Sequence, residues 1–423
     1  MYGIGRWRAT MARFPGTRRP AARIRVSTPS NPAQRVPLPR LLGIVLFNFV
    51  AYFCVGLPLA VIPAQVHVTL GFGTVLAGLA VSVQYVATLL SRPVAGRLCD
   101  VRGPKRSVLI GLGFCAASGA LMLAAALAVP MPALSLALLL LARLPLGVGE
   151  SLVTTGTTLW GIGTVGSADT ARAISWNGIT SYGALALGAP VGVWLDGAVG
   201  FSALGLLMLA VALGSLWLAG RRPGVAPAPG VHLPARAVFG RMWPFGTCLG
   251  LGSVGFGAIT AFAALYFLDR HWAHAALAIT ALGTAFVLTR LLAGNAVVHF
   301  GGYRVAMASF FTEAAGLALV WLAPGAGWAV LGAAITGVGF SLVFPALGME
   351  AVKQVPAANR GSALGLYSVF LDVALGITGP LAGWLAHRGG YGDIYPLASV
   401  AAIAALLASA LLWRRALRPS AGA

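Results

Sequence analysis

The sequence predicts an all-α polytopic membrane protein: twelve transmembrane helices in two six-helix halves. Three observations predict it. Of the 423 residues, 58% are hydrophobic and only 9% charged, a balance foreign to soluble domains. Roughly twelve apolar runs approach the ~20 residues that a helix needs to cross a bilayer. Finally, fragments recur along the chain: GVGESLV from Gly147 and GVGFSLV from Gly337 stand 190 positions apart and agree at six of seven residues.

In chain order the apolar runs are 41–66, 73–96, 105–129, 133–158, 172–195 and 201–219, then 243–267, 275–299, 304–323, 327–349, 361–386 and 394–413. They are too long and continuous for the alternating strands of a membrane barrel, so helices span. The longest internal connection, residues 220–242, is rich in Pro and Gly and basic, which reads as a linker between the halves 41–219 and 243–413. A basic tail, 1–40, precedes them and a short tail, 414–423, follows.

Charge sets the expected orientation. The formal net charge is +20, and nine of the 29 basic residues lie between Arg6 and Arg40. Most others gather at Arg92 to Arg106, Arg221 to Arg241, Arg304, Lys353, Arg360 and Arg414 to Arg418. With alternating spans these fall on or near one side, leaving Arg270 and Arg388 on the other, so the positive-inside rule puts both termini in the cytoplasm. Nucleic acid is a poor second explanation of such placement. Arg18-Arg19 resembles a twin-arginine signal, yet further arginines follow and the next apolar run is long enough to span, so a cytoplasmic tail is expected rather than a cleaved leader. Four cysteines, Cys54, Cys99, Cys115 and Cys248, show no metal or disulfide spacing and read as packing residues.

Between the second and third runs lies SRPVAGRLCDVRGPKRS, Ser91 to Ser107, with five basic residues and one aspartate. Arg92, Gly96, Gly103 and Arg106 recur 198 positions later as Arg290, Gly294, Gly301 and Arg304, whereas Asp100 is replaced by Val298. The basic residues are explained by topology alone; Asp100 and the repeated glycines are not. The spacing G-R-L-C-D-x-R-G-x-K-R resembles the signature between spans two and three of the major facilitator superfamily. That resemblance implies that Gly96 packs closely on the other half and that Asp100 faces the N-terminus of span eleven, near Asn359 to Ser362. A carboxylate there gains about 0.3–1 kcal/mol from the helix dipole. Gly96, Asp100, Arg102, Gly103 and Arg106 are therefore the expected cytoplasmic gate.

In the fourth run, Arg143 and Glu150 are seven apart and share a helix face with Gly147 between them. Charge at membrane depth is costly and marks function by default. The copy has Ala333 and Phe340 at these positions, so helix packing does not require the charges. Arg143-x-x-x-Gly147-x-Gly149 is similar to the superfamily's fourth-span motif, whose arginine is associated with proton coupling. The expectation is an Arg143–Glu150 pair that holds the carboxyl ionised until it separates. Asp372, mid-span in run eleven and opposite Tyr182 in the repeat, is a second proton-coupling candidate; Glu313 in run nine reads as a brace.

The fifth run, with Gly178, Gly183, Gly188, Pro190 and Gly192, forms a helix that can pack closely and bend at Gly188 and Pro190. It resembles the antiporter branch's fifth-span signature, with Ala189 where that signature has glycine. Asn48, Tyr52, Gln84, Trp176, Asn177, Tyr182 and Tyr367 are candidates to line the substrate path; a Tyr or Asn in such a helix serves as often for an interhelical hydrogen bond, and Asn177 is the one least readily explained by packing. Together the fourth and fifth runs resemble a narrower bacterial branch, the YhhS-type transporters described as similar to arabinose or sugar efflux permeases.

No phosphate loop G-x-x-x-x-G-K-[ST] marks a primary pump, and no zinc or Ser/His constellation marks an intramembrane enzyme. A duplicated six-span unit with the path between its copies is the plan of an alternating-access carrier. The expected function is secondary transport at the bacterial inner membrane: proton-coupled efflux, by antiport, of a sugar-like or drug-like solute. The alternative is a facilitator or proton symporter for a small organic solute. Expected partners are that solute, the proton and the lipid bilayer, with no nucleic acid, cofactor or metal, and a monomeric state.

Overall fold

The structure, a computed structural model, describes residues 38–417 except 60, 167–168 and 274–275. The parts of the tails 1–40 and 414–423 beyond these bounds, including the twin-arginine pair, lie outside the described residues. Twelve long helical segments are seen: α1 Leu38–Leu59, α2 Thr74–Arg102, α3 Pro104–Leu127, α4 Pro132–Val165, α5 Thr170–Val199 and α6 Phe201–Arg221 in the first half. The second half has α7 Ala235–Asp269, α8 Ala276–Ala293, α9 Gly302–Trp321, α10 Ala326–Ser341, α11 Arg360–Gly389 and α12 Ile394–Leu417. Short helices extend three of them: Ile62–Ala64 and Gln65–Thr69 after α1, Ala296–Phe300 after α8, and Val343–Lys353 after α10. Among the described residues no strand occurs, and ten helical segments are long and apolar enough to cross a membrane, with Leu277–Ala293 of α8 a shorter apolar one.

Helix ends fall where backbone chemistry requires. Gly103 and Gly301 have φ of +88° and +84°, strained for any L side chain, and each turns the chain between two helices of its half. The same hairpin is thus built twice. Pro104 and Pro132 begin α3 and α4, where a missing N–H costs nothing.

Two element boundaries differ from expectation. The first apolar run does not continue as one helix to residue 66; α1 ends at Leu59, and the chain turns at Val61, whose N–H donates to Pro58 O at 3.1 Å, before its short extension. The linker is shorter than 220–242, because Ala235–Met242 already belongs to α7. There Val238 and Met242, four residues apart, are fully buried while Phe239 and Arg241 face outward, a helical periodicity hidden among prolines and basic residues.

The repeat is visible in the packing. A Cβ on Gly147 would collide with the Gln84 carbonyl oxygen of α2, and one on Gly337 with the Leu282 carbonyl oxygen of α8, the matching positions of the two halves. Leu90, Trp194, Leu292 and Trp384 lie on the outer, lipid-directed surface. Inside, one apolar cluster belongs to the first half and another to the second. A third joins them, with Leu41, Val45, Ile162 and Ile174 packed among Met242, Phe245, Ala363 and Tyr367 at the end of the bundle where Asp100 lies.

Candidate functional site

Between the halves is a cavity of about 740 Å³, lined by α1, α2, α4 and α5 on one side and α7, α8, α10 with its short extension, and α11 on the other. Its lining runs along α11 from Leu364 past Asp372 to Gly379, and along α2 from Arg92 back to Ser82, away from the Asp100 end. Such a volume suits a small organic molecule. Four ionisable side chains of opposite sign line it: Arg92, Glu150, Arg290 and Asp372.

Arg92 occupies the middle of the polar side. Its Nε donates to Asp372 Oδ2 at 2.9 Å across the interface between halves, and its Nη2 lies 4.0 Å from Glu150 Oε1. Glu150 Oε2 also accepts from Gln84 Nε2 at 3.0 Å and Thr88 Oγ1 at 3.1 Å. Arg92 and Glu150 are buried, while Asp372 is one-fifth exposed toward the cavity. Two carboxylates thus share one guanidinium, with polar donors filling further lone pairs, the condition under which a buried ion cluster is tolerable.

This corrects the expected Arg143–Glu150 pair. Seven helical residues separate those two by about 10 Å along the axis. Arg92, approaching from the neighbouring helix, reaches the carboxylate instead. Arg143 is fully buried, and none of its guanidinium nitrogens has a hydrogen-bond partner among the described residues. Glu313 is likewise buried without a partner, tucked between α9, α7 and α10 outside the cavity lining.

The path candidates divide. Tyr52, Asn177 and Tyr182 line the cavity; Asn48, Gln84, Trp176 and Tyr367 do not. Asn48 Nδ2 reaches Asn177 O, Thr180 Oγ1 and Ser181 Oγ, tying α1 to α5, and Thr157 Oγ1 donates to Asn177 Oδ1 at 2.7 Å, tying α4 to α5. Asn177 therefore combines helix bonding with a place at the cavity wall. Gln84 acts through Glu150, Tyr367 Oη donates to Phe344 O, and Trp176 packs in the cluster that joins the halves. Gly188 and Gly192 bring α5 against the α1 backbone at Leu57, and α5 remains helical through Pro190.

At the Asp100 end the backbones of α2 and α11 touch. A Cβ on Gly96 would strike the Gly361 carbonyl oxygen, and one on Gly365 would lie 2.6 Å from the Arg92 carbonyl. Asp100 accepts from Gly361 N at 2.7 Å, Ser362 N at 2.8 Å and Ser362 Oγ at 2.6 Å, capping the start of α11. Arg102 and Arg106 are exposed and stand outside this contact. The linker is fastened over the same place. Asn359 accepts from Leu233 N at 2.7 Å and donates to Val231 O at 2.9 Å; His232 Nε2 lies 3.3 Å from Asp100 O; and Lys105 Nζ donates to Gly220 O and Arg222 O.

The structure adds residues that sequence reasoning passed over. In the sequence Arg92 reads as part of the orientation signal and Arg290 as a mark of the repeat. Both sit inside apolar runs at matching positions of the repeat, and that pairing was the available signal. Phe256, Phe340 and Phe344 of the cavity wall carried none beyond hydrophobicity.

The sequence profile of the Major Facilitator Superfamily matches residues 44–286 and 273–422. An uncharacterized MFS-type transporter of Burkholderia mallei (strain SAVP1) is 51% identical over 399 residues, spanning 92% of this chain and 97% of that protein. The MFS-type transporter YhhS of Shigella flexneri is 49% identical over 380 residues, spanning 90% and 93%. Among solved structures, the Escherichia coli fucose:proton symporter FucP superposes with a TM-score of 0.72 at 15% identity, over 89% of this chain and 99% of that one, a likeness of fold. The relatives are transporters and not enzymes, which makes this a multi-pass membrane transporter of a small solute. With a profile match over each half and relatives alike along nine-tenths of its length, the chain belongs to the Major Facilitator Superfamily.

Proposed function

We propose that the protein is a proton-coupled carrier of the bacterial inner membrane that exports a small sugar-like or drug-like solute by alternating access. The observation that carries the reading is the cluster Glu150–Arg92–Asp372, in which carboxylates from both halves compete for one guanidinium beside the cavity. A proton taken by either carboxylate releases it from Arg92, loosening the tie between halves that the Arg92–Asp372 pair provides. Proton occupancy is thereby linked to which side of the cavity is open. With both termini cytoplasmic, as the basic residues favour, the Asp100 end is the inner gate, and the arrangement described is shut inside with the cavity directed outward. Export rests on the fifth-span pattern of Gly178, Gly188 and Pro190. We take the monomer as the working unit, since each chain contains a whole cavity.

A second reading, solute and proton moving together, is favoured by Arg290. It has no carboxylate partner among the described residues, so protonating the cluster leaves an uncompensated cation at the cavity. Proteoliposomes with an imposed proton gradient decide the direction. Export predicts solute movement against the proton flow, and cotransport predicts movement with it. Glu150→Gln abolishes gradient-driven transport and spares solute exchange at equilibrium; unchanged driven transport in this variant removes Glu150 from the coupling.

A further inference from the structure

Arg92 and Arg290 occupy matching positions of the two halves, and each meets a residue of the opposite half that is itself matched: Asp372 for Arg92, Tyr182 for Arg290. Around Arg92 stand Glu150 and Thr88; at the same places around Arg290 stand Phe340 and Phe286. One arginine therefore has two carboxylates. The other has rings: its guanidinium carbon lies 4.6 Å from the Phe286 centroid and 6.0 Å from that of Tyr182. The hydrogen bond that Arg290 makes among the described residues runs from Nε to Ser341 O at 2.9 Å, leaving Nη1 and Nη2 without an acceptor. It is 4% exposed and lines the cavity, and a Cβ at Gly178 would occupy the place of Nη1, so glycine there leaves room for the fork in the position it holds.

We propose that Arg290 holds a carboxylate of the transported solute, and that the solute is a small organic acid whose ring or apolar body lies on Tyr182, Phe256 and Phe340. A guanidinium held through Nε and flanked by rings presents its two terminal nitrogens in the planar fork that a carboxylate accepts. Desolvation and the lack of a protein counter-charge make an anionic ligand the missing partner. Aromatic wall residues next to the fork supply contact for a body that inorganic anions lack. The proposal rests on the cavity being the solute site and holds for either direction of coupling.

The test uses the purified full-length protein in detergent and thermal-shift titration with benzoate, phenylacetate and 4-hydroxybenzoate, each against its primary amide, with acetate and chloride as bodiless anions. The expected result is stabilisation by the aromatic carboxylates, at least tenfold weaker binding of the amides and of acetate, and no effect of chloride at matched ionic strength. Arg290→Lys weakens carboxylate binding about tenfold and Arg290→Met abolishes it. If Arg290→Met does not fold, the carboxylate-to-amide ratio in the unaltered chain and Arg290→Lys decide. Equal binding of acids and amides, no binding by any aromatic acid, or selectivity retained in Arg290→Met overturns the proposal. Benzoate bound and carried without proton movement in proteoliposomes would overturn the coupling reading and leave Arg290 in place; proton-driven transport indifferent to solute charge would do the reverse.

Discussion

The two arginines of the cavity, made by one ancestral position and set in matching surroundings, have opposite neighbours. Arg92 sits among Glu150, Thr88 and Asp372; Arg290 sits among Phe340, Phe286 and Tyr182 at the same places. The backbone frame is common to both, down to the glycine contacts Gly147 on Gln84 and Gly337 on Leu282. A duplicated frame therefore fixes where side chains meet without fixing their chemistry. One copy has become a charge cluster, the other an aromatic enclosure with a cation in it.

The gates differ in the same sense. Gly96 and Asp100 dock on Gly361 and Ser362, whereas Gly294 meets no atom outside its own helical segment within 4 Å and Val298 is exposed. Among the described residues, the first half's hairpin is bonded across to α11 of the other half, whereas in the second the Gly302 amide donates to Glu350 Oε1 at 3.2 Å within its own half.

The largest effect is expected from removing the polar arginine. Arg92→Met leaves two carboxylates beside the cavity without their cation, a loss of about 3–5 kcal/mol by the measure of broken buried pairs. Transport ceases, and unfolding of the purified variant shifts to markedly lower temperature; a variant of native stability would show that the cluster is already neutral without Arg92. Next is the exchange of character: Phe340→Glu places a carboxylate where the copy of Glu150 would be. It is expected to pair with Arg290 and lower aromatic-acid affinity by a factor of ten or more, read by the same titration. Undiminished affinity would break the equivalence of the two sites.

Asp100→Asn exchanges a charged acceptor of three hydrogen bonds, each worth roughly 1.5–3 kcal/mol net when the acceptor is charged, for a neutral amide with one acceptor oxygen. Labelling of a cysteine placed at Leu159, behind the α2–α11 contact, should rise severalfold as the latch opens; unchanged labelling returns the segment to an orientation signal. The smallest effect is predicted for Tyr182→Phe, which keeps the ring facing Phe286 and Arg290 and should leave affinity within about twofold. A larger loss would assign the hydroxyl a role that ring geometry alone does not.

Much of the plan was legible in the sequence because each part had a local physical cause. Apolar length marks a span, basic residues mark a side, and Gly103 and Gly301 mark turns that only glycine makes comfortably. Asp100 at the start of α11 followed from family resemblance and helix electrostatics. The charge cluster was not legible. Glu150 stands out as charge at membrane depth, but its partner does not: a sequence shows the intrahelical spacing to Arg143 and hides that Arg92 of a neighbouring helix faces the carboxylate. Arg92 was masked by its company: among five basic residues in seventeen, nothing local distinguishes the one that turns into the bundle. Asn48 and Asn177 illustrate the converse. Polar residues at membrane depth invite a ligand reading, yet Asn48 spends its donors on α5.

The linker has a further consequence for measurement. The Leu233 amide donates to Asn359 Oδ1 beside the Asp100 contact, Val231 O accepts from the same side chain, and His232 Nε2 between them lies 3.3 Å from Asp100 O of the first half, so parting the halves strips the cover from this amide. Hydrogen exchange at that one amide then serves as a clock for the gate: slow while the latch is made, and fast in proportion to the fraction of time it is undone. The Asp100→Asn chain should run the clock faster, without any label or added cysteine.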